Sequence, residues 1–218
     1  MTANSLAHRF RQLQAERERT WTQDQLAANA AQRRLLVERD DPSSRPAAGH
    51  RLAPFEIIDE SGQALTSHQL LAKGPVALVY FRFGGCPACN IALPYYDETL
   101  RAPLARAGLA LAAISPQVPV DPGPAGRQGL SFPTYGDPHY GLARQLGLTF
   151  FPEDQPSVQP SEAWIGATLG TDSYEMAKPA VIVIDPDHVI RFIDVSPDWL
   201  ARTEATTVLA ALQGASQV

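Results

Sequence analysis

A short apolar run that stops at a glycine pair and a Cys-x-x-Cys limits the folds open to this chain more than any other stretch. Residues 75–81, Pro75-Val76-Ala77-Leu78-Val79-Tyr80-Phe81, have the length and the β-forming content of a buried strand. Arg82-Phe83-Gly84-Gly85 follows, then Cys86-Pro87-Ala88-Cys89-Asn90. Beyond these, Ile91, Leu93, Tyr95, Tyr96, Leu100 and Leu104 recur as on a helix. The glycines make the turn, and Pro87 suits the first helical position, where a missing N–H costs nothing. Cys86 is therefore expected at a helix N-terminus, where free N–H groups and the helix dipole favour a thiolate. Cys89 lies one turn further on, close enough to close a disulfide, and is expected to have the higher pKa. This pattern supports thiol–disulfide exchange or the reduction of a peroxide.

The remaining sequence places that strand in an α/β order. Residues 1–40 read as a helical arm with Leu6, Phe10, Leu13, Leu26 and Leu36 at helical spacing, and Thr22 with Gln25 forms a capping box for a second helix. Residues 41–49, rich in Pro and Ser, read as a linker, and residues 50–218 as the main domain. Within it, residues 55–58 read as a strand, 67–71 as a helical turn and 108–115 as a second buried strand parallel to the first. Pro94 is expected to kink or split the helix after Cys89. Residues 116–129 and 152–160 read as loops, and 164–169 as a further strand. Residues 178–185 and 188–195 flank Asp185-Pro186-Asp187 as an antiparallel hairpin, and an amphipathic helix begins at Glu204.

A net charge of −5 without a basic tract argues against a nucleic-acid partner. No apolar run is long enough to span a membrane, and residues 1–10 lack the apolar core of a signal peptide. The expected location is the cytoplasm, where a cysteine pair is more often redox-active or metal-binding than a staple. The chain holds two cysteines and five scattered histidines without ligand-like pairing, so zinc is disfavoured and no cofactor is expected.

A helix-opening Cys-x-x-Cys after a buried strand, with Pro179 entering a later hairpin, resembles the thioredoxin fold: a mixed central sheet flanked by helices. The stretch 80–90 resembles more closely the peroxiredoxin-like branch of the alkyl hydroperoxide reductase / thiol-specific antioxidant family, whose pattern is Arg-Gly-Gly-Trp-Cys-Pro-x-Cys-Asn. Ala113-Ile114-Ser115-Pro116-Gln117, Phe132-Pro133, Asp137-Pro138, Pro179-Ala180 and Val195-Ser196-Pro197-Asp198 agree with it in order. Two departures stand out. Val79 and Phe83 occupy the positions where ordinary peroxiredoxins carry Pro and Thr/Ser, so that hydroxyl is absent, and Gly85 replaces the tryptophan.

The resemblance implies a thiol peroxidase. Cys86 is the nucleophile, Cys89 resolves it, and Arg82 lowers the thiolate pKa and meets a peroxide oxygen. It also places Gly85, Pro87, Pro179 and Lys178 around the substrate, with Pro179 facing the disulfide and Lys178 offering its backbone and its ammonium. A hydroperoxide or disulfide is the substrate, and a dithiol such as thioredoxin, or glutathione, is the electron donor. Two alternatives stand beside this reading: a disulfide exchanger without peroxidase activity, which the missing hydroxyl favours, and a non-catalytic module that binds or dimerises through residues 1–40.

Overall fold

The computed structural model describes residues 5–118, 128–152, 165–171 and 173–215. The N-terminal half comprises helices α1 (Leu6–Thr20) and α2 (Gln23–Glu38), strands β1 (Glu56–Ile58) and β2 (Ala64–Thr66), and helix α3 (Ser67–Leu71). Strand β3 (Val76–Tyr80), helix α4 (Pro87–Arg106), and strands β4 (Ala110–Ser115) and β5 (Thr134–Gly136) form the centre. Helix α5 (Gly141–Gln145), strand β6 (Thr149–Phe150), helix α6 (Ile165–Leu169), strands β7 (Met176–Ala177), β8 (Ala180–Ile184) and β9 (Ile190–Val195), and helix α7 (Ala205–Ala215) complete the set.

The apolar run behaves as its composition demands. Every residue of β3 is buried, because the strand is central and covered on both faces. It pairs in parallel with β4, Tyr80 beside Ile114, and antiparallel with β8, Tyr80 beside Ala180. The seven-stranded sheet runs β2-β1-β5-β4-β3-β8-β9, and β6 and β7 form a separate ribbon. Strand alternation sorts the core into two layers. Ala77 and Val79 pack with Leu6 and Phe10 of α1, the buried residues of α4, and Ala205 and Val208 of α7. Val76, Leu78 and Tyr80 pack on the other face with Leu71 of α3 and Leu142 and Ala143 of α5. The architecture is thus the expected mixed α/β sheet between helices.

Two expectations need correction. Helix α4 runs unbroken through Pro94 and Pro103. Burial of Leu93, Tyr95, Tyr96, Leu100 and Leu104 along it outweighs the hydrogen bonds that the prolines remove. The helix ends where Gly108 turns left-handed (φ +75°), with Gly108 N–H on Ala105 O and Leu109 N–H on Leu104 O. Residues 165–169 are helical, not a strand, and Trp164 lies outside the described residues. Most of the two predicted loops, 119–127 and 153–160, also lies outside them.

The arm folds as two helices, and the capping box forms as read: Gln25 N–H on Thr22 Oγ1 and Thr22 N–H on Gln25 Oε1. It packs on the domain rather than standing free. Leu6 and Phe10 are buried in the core, Arg9 pairs with Glu98 at 2.5 Å, and Arg33 forks onto both oxygens of Asp198 at 2.7 Å. The Glu204 carboxylate accepts the Leu6 and Ala7 N–H groups at 3.1 and 2.9 Å. It satisfies the open first turn of α1 with a negative charge where the dipole favours one.

Candidate active site

The end of β3 builds the site. Phe81 N–H still bonds Ile114 O, and then the chain turns, with Cys86 N–H on Phe83 O and Gly84 N–H on Gln117 Oε1. Cys86 becomes the N-cap of α4 with Pro87 directly behind it, as the spacing predicts. Both thiols are free. Cys86 is 3% exposed and Cys89 fully buried, while Gly85 and Pro87 on either side of Cys86 face solvent.

The surroundings of the pair are cationic as well as apolar. Arg82, partly buried, hydrogen-bonds Cys86 and stacks its guanidinium 4.3 Å from the Trp199 ring centre. Arg202 reaches in from the segment after β9, with Nη2 donating to Cys89 Sγ at 3.3 Å and Nε to Trp199 O at 2.8 Å. Arg17 of α1 is buried, stacks over Trp21 and lies within electrostatic reach of Cys86 and Arg82. Arg82 Nε and Arg17 Nη1 are buried without a hydrogen-bond partner among the described residues.

These contacts divide the two sulfurs, and not in the expected order. Burial alone would push the Cys89 thiol up. The hydrogen bond from Cys86, the Arg202 guanidinium and the Arg82 backbone N–H outweigh it and hold Cys89 well below the ordinary thiol range. Cys86 is pushed up, first by its hydrogen bond to Cys89 and then by burial. Two thiols this close share one negative charge, and the donors converge on the inner one. The expectation that Cys89 has the higher pKa is therefore corrected. Helix position and Arg82 favour charge on Cys86, but the Cys86 hydrogen bond, Arg202 and the Arg82 backbone N–H together fall on Cys89.

Pro179 precedes β8, whose Ala180 pairs with Tyr80, so it sits at the sheet edge from which the cysteine turn leaves. Lys178 is corrected on both counts. Its backbone N–H donates to Leu148 O at 2.9 Å, and its ammonium pairs with Asp40 Oδ1 at 2.7 Å, where Arg45 also binds. An acid at the end of the arm takes the charge that was expected to face the thiols.

The model of the AhpC/TSA family matches residues 48–193. The chain belongs to this family. No curated protein matches it. Among solved structures it is similar to peroxidoxin BcpB from Mycobacterium tuberculosis, at 22% identity and a TM-score of 0.58 over 77% of this chain and 97% of that one. It is also similar to a cysteine-to-serine mutant of PrxQ from Xylella fastidiosa, at 14% identity and a TM-score of 0.59 over 80% and 99%. A thiol peroxidase from Chromobacterium violaceum matches at 15% identity and a TM-score of 0.59 over 80% and 90%. At these identities the likeness is one of fold, the thioredoxin-like sheet of peroxiredoxins.

As an AhpC/TSA protein the chain is a thiol-dependent oxidoreductase. Arg17 and Arg202, however, lie outside the residues that the family model matches, and sequence reasoning missed both. Arg17 sits in an arm whose arginines alternate with acids, so its pattern is that of a solvated face. Arg202 is 113 residues from the sulfur it touches, and no spacing announces it. The Trp199 to Arg202 segment carried one usable signal, an arginine among residues that bury.

Proposed function

We propose that the chain is a thiol peroxidase that cycles the Cys86–Cys89 pair between dithiol and disulfide. The observation that carries this reading is a free dithiol at the N-terminus of α4 with one guanidinium on each sulfur. Cys86 is the outer thiol and the attacking one. Its proton passes to Cys89 along their hydrogen bond, and the Cys86 thiolate attacks the terminal oxygen of a hydroperoxide. The O–O bond breaks, Cys86 becomes a sulfenic acid, and the alcohol leaves with a proton from solvent. Cys89 sulfur then attacks Cys86 sulfur, water leaves, and the disulfide forms. In sum, dithiol and ROOH give disulfide, ROH and water.

Arg82 supplies the positive charge that meets the oxygen as negative charge develops on it. Phe83 offers no hydroxyl for that purpose, so the guanidinium carries the role alone. A dithiol such as thioredoxin, or glutathione, returns the pair through a mixed disulfide. Gly85 and Pro87 form the exposed surface beside the outer sulfur, where that donor docks, and Pro179 lies buried at the start of β8. The segment 1–40 is an arm that covers α4, 41–49 links it, and 50–218 forms the redox domain.

Mixing reduced chain with hydrogen peroxide and counting free thiols tests the reading. Paired loss of both thiols, much faster than oxidation of a free cysteine, is the expected result. Loss at the free-cysteine rate would sink peroxidase activity, and Cys89→Ser should trap the sulfenic acid on Cys86.

A further inference from the structure

Arg202 is 9% exposed, and its guanidinium touches the backbone oxygen of Trp199, the Cys89 sulfur and, at 5.6 Å, the ring of Phe10. Among the described residues no carboxylate forms an ion pair with it. A guanidinium keeps its proton inside proteins. A buried charge is costly unless an anion lies in contact with it. The one contacting group that can supply that anion is the Cys89 thiol.

We infer that Arg202 is the counter-ion of a Cys89 thiolate and thereby sets the redox potential of the pair. This rests on the dithiol/disulfide cycle proposed above and names the positioning residue that governs it. The reduced pair rests as a Cys86 thiol hydrogen-bonded to a Cys89 thiolate. Forming the Cys86–Cys89 bond removes the anion and leaves Arg202 buried without one. The oxidised chain therefore carries a cost that the reduced chain does not, and its disulfide is readily reduced. A dithiol whose reduced form is stabilised in this way is an oxidising couple.

The electron count follows. The disulfide takes up two electrons and one proton to give the Cys86 thiol and the Cys89 thiolate. With dithiothreitol as donor, the reagent gives up two electrons and two protons and closes to its own disulfide, so one proton is released to solvent. The groups that bear on this are Cys86, Arg202 and Arg82, which face Cys89, with Tyr96 of α4 facing Arg202 and Arg17 of α1 facing Cys86. Burial holds Tyr96 neutral, and the other three are cations, so none adds a proton near neutrality. Asp198, the partner of Arg33, also lies within electrostatic reach of Arg202 but forms no ion pair with it, and its carboxyl is held low, so it adds no proton near neutrality.

A redox titration of the full chain in dithiothreitol buffers across neutral pH tests this. One proton per two electrons makes the potential fall by about 30 mV per pH unit, and two protons would double that to about 59 mV. The wild type should follow the shallower line. Arg202→Met should follow the steeper one and shift the couple at least tenfold toward the disulfide, about 30 mV. Arg202→Lys should restore part of both. A two-proton slope in the wild type, or an unchanged slope in Arg202→Met, would overturn the inference.

Should Arg202→Met not fold, Cys86→Ser leaves Cys89 as the lone thiol. Its thiolate absorbance should then titrate below the ordinary thiol value of about 8.5; an ordinary titration overturns the assignment. No peroxide enters these measurements. A chain inert to peroxide can still show the one-proton slope, whereas a pair that never closes its disulfide overturns both readings.

Discussion

At the scale of single residues, the site depends on cations held where water is scarce. Arg82 hydrogen-bonds Cys86 and lies over the Trp199 ring, and its Nε has no partner among the described residues. A guanidinium fixed in this way needs no reorganisation when an oxygen beside Cys86 gains charge. Arg82→Met should lower kcat/KM for a hydroperoxide by about 10²-fold, the usual loss when one preorganised donor is removed. Arg82→Lys should recover little, because an ammonium neither stacks on Trp199 nor forks. Steady-state peroxide consumption with a thiol donor measures both. An unchanged kcat/KM in Arg82→Met would assign the arginine to packing alone. Arg82 was legible because an arginine at the end of an apolar strand needs a reason. The charge order of the sulfurs was not, since it depends on Arg202. Lys178 was misread because its partner, Asp40, lies 138 residues away at the end of the arm.

At the scale of elements, the helix that carries the cysteines and the helix that covers it are joined through one carboxylate. Glu204 accepts two N–H groups of α1 and the Tyr95 hydroxyl of α4 at 2.6 Å, and Tyr95 in turn accepts Ala205 N–H at 3.1 Å. The first turns of α1 and α7 and the middle of α4 therefore meet at one residue. Glu204→Ala should cost about 1–2 kcal/mol, the range for loss of an N-cap acceptor. In a chain of this size that lowers the thermal midpoint by roughly 2–4 °C per kcal/mol. The same variant should speed alkylation of Cys86 by a bulky maleimide, because loosening α1 uncovers the N-terminus of α4. Thermal scans and timed alkylation of the reduced chain check the two effects; faster melting without faster alkylation would remove α1 from control of access. The helix boundaries in the arm were legible because capping chemistry is local. The continuity of α4 through Pro94 was not, since long-range burial overrides a local break. The helix at 165–169 was missed because a short apolar run suits either element.

At the scale of the whole molecule, the arm and the sheet respond to acid in opposite directions. Burial alone would raise Glu204, but hydrogen bonds from Tyr95, Ala7 and Leu6 outweigh it and hold the carboxyl below its usual value. Burial would likewise raise Asp198, and the Arg33 fork and the Leu200 N–H outweigh it in the same sense. Both carboxylates tie the arm to the domain. A depressed folded pKa gives stability that is complete above the unfolded value, about 4 for these groups. That stability drains away as pH falls through the folded value. In the core the sign reverses. Asp137, which accepts the Tyr80 hydroxyl at 2.9 Å, is pushed up chiefly by burial. Its charged form is disfavoured in the folded chain, and taking a proton relieves that cost. Acid therefore removes the arm's attachments while it eases a strain in the sheet, and the arm should release before the domain unfolds. Hydrogen exchange should show this between pH 7 and about 3: amides of α1 and α2 lose protection while those of β3 and β4 keep it. Removing both attachments at neutral pH, with Glu204→Gln and Asp198→Asn, should reproduce the released arm without acid. Simultaneous loss of protection in arm and sheet would mean that the arm is part of the same cooperative unit as the core that Leu6 and Phe10 enter.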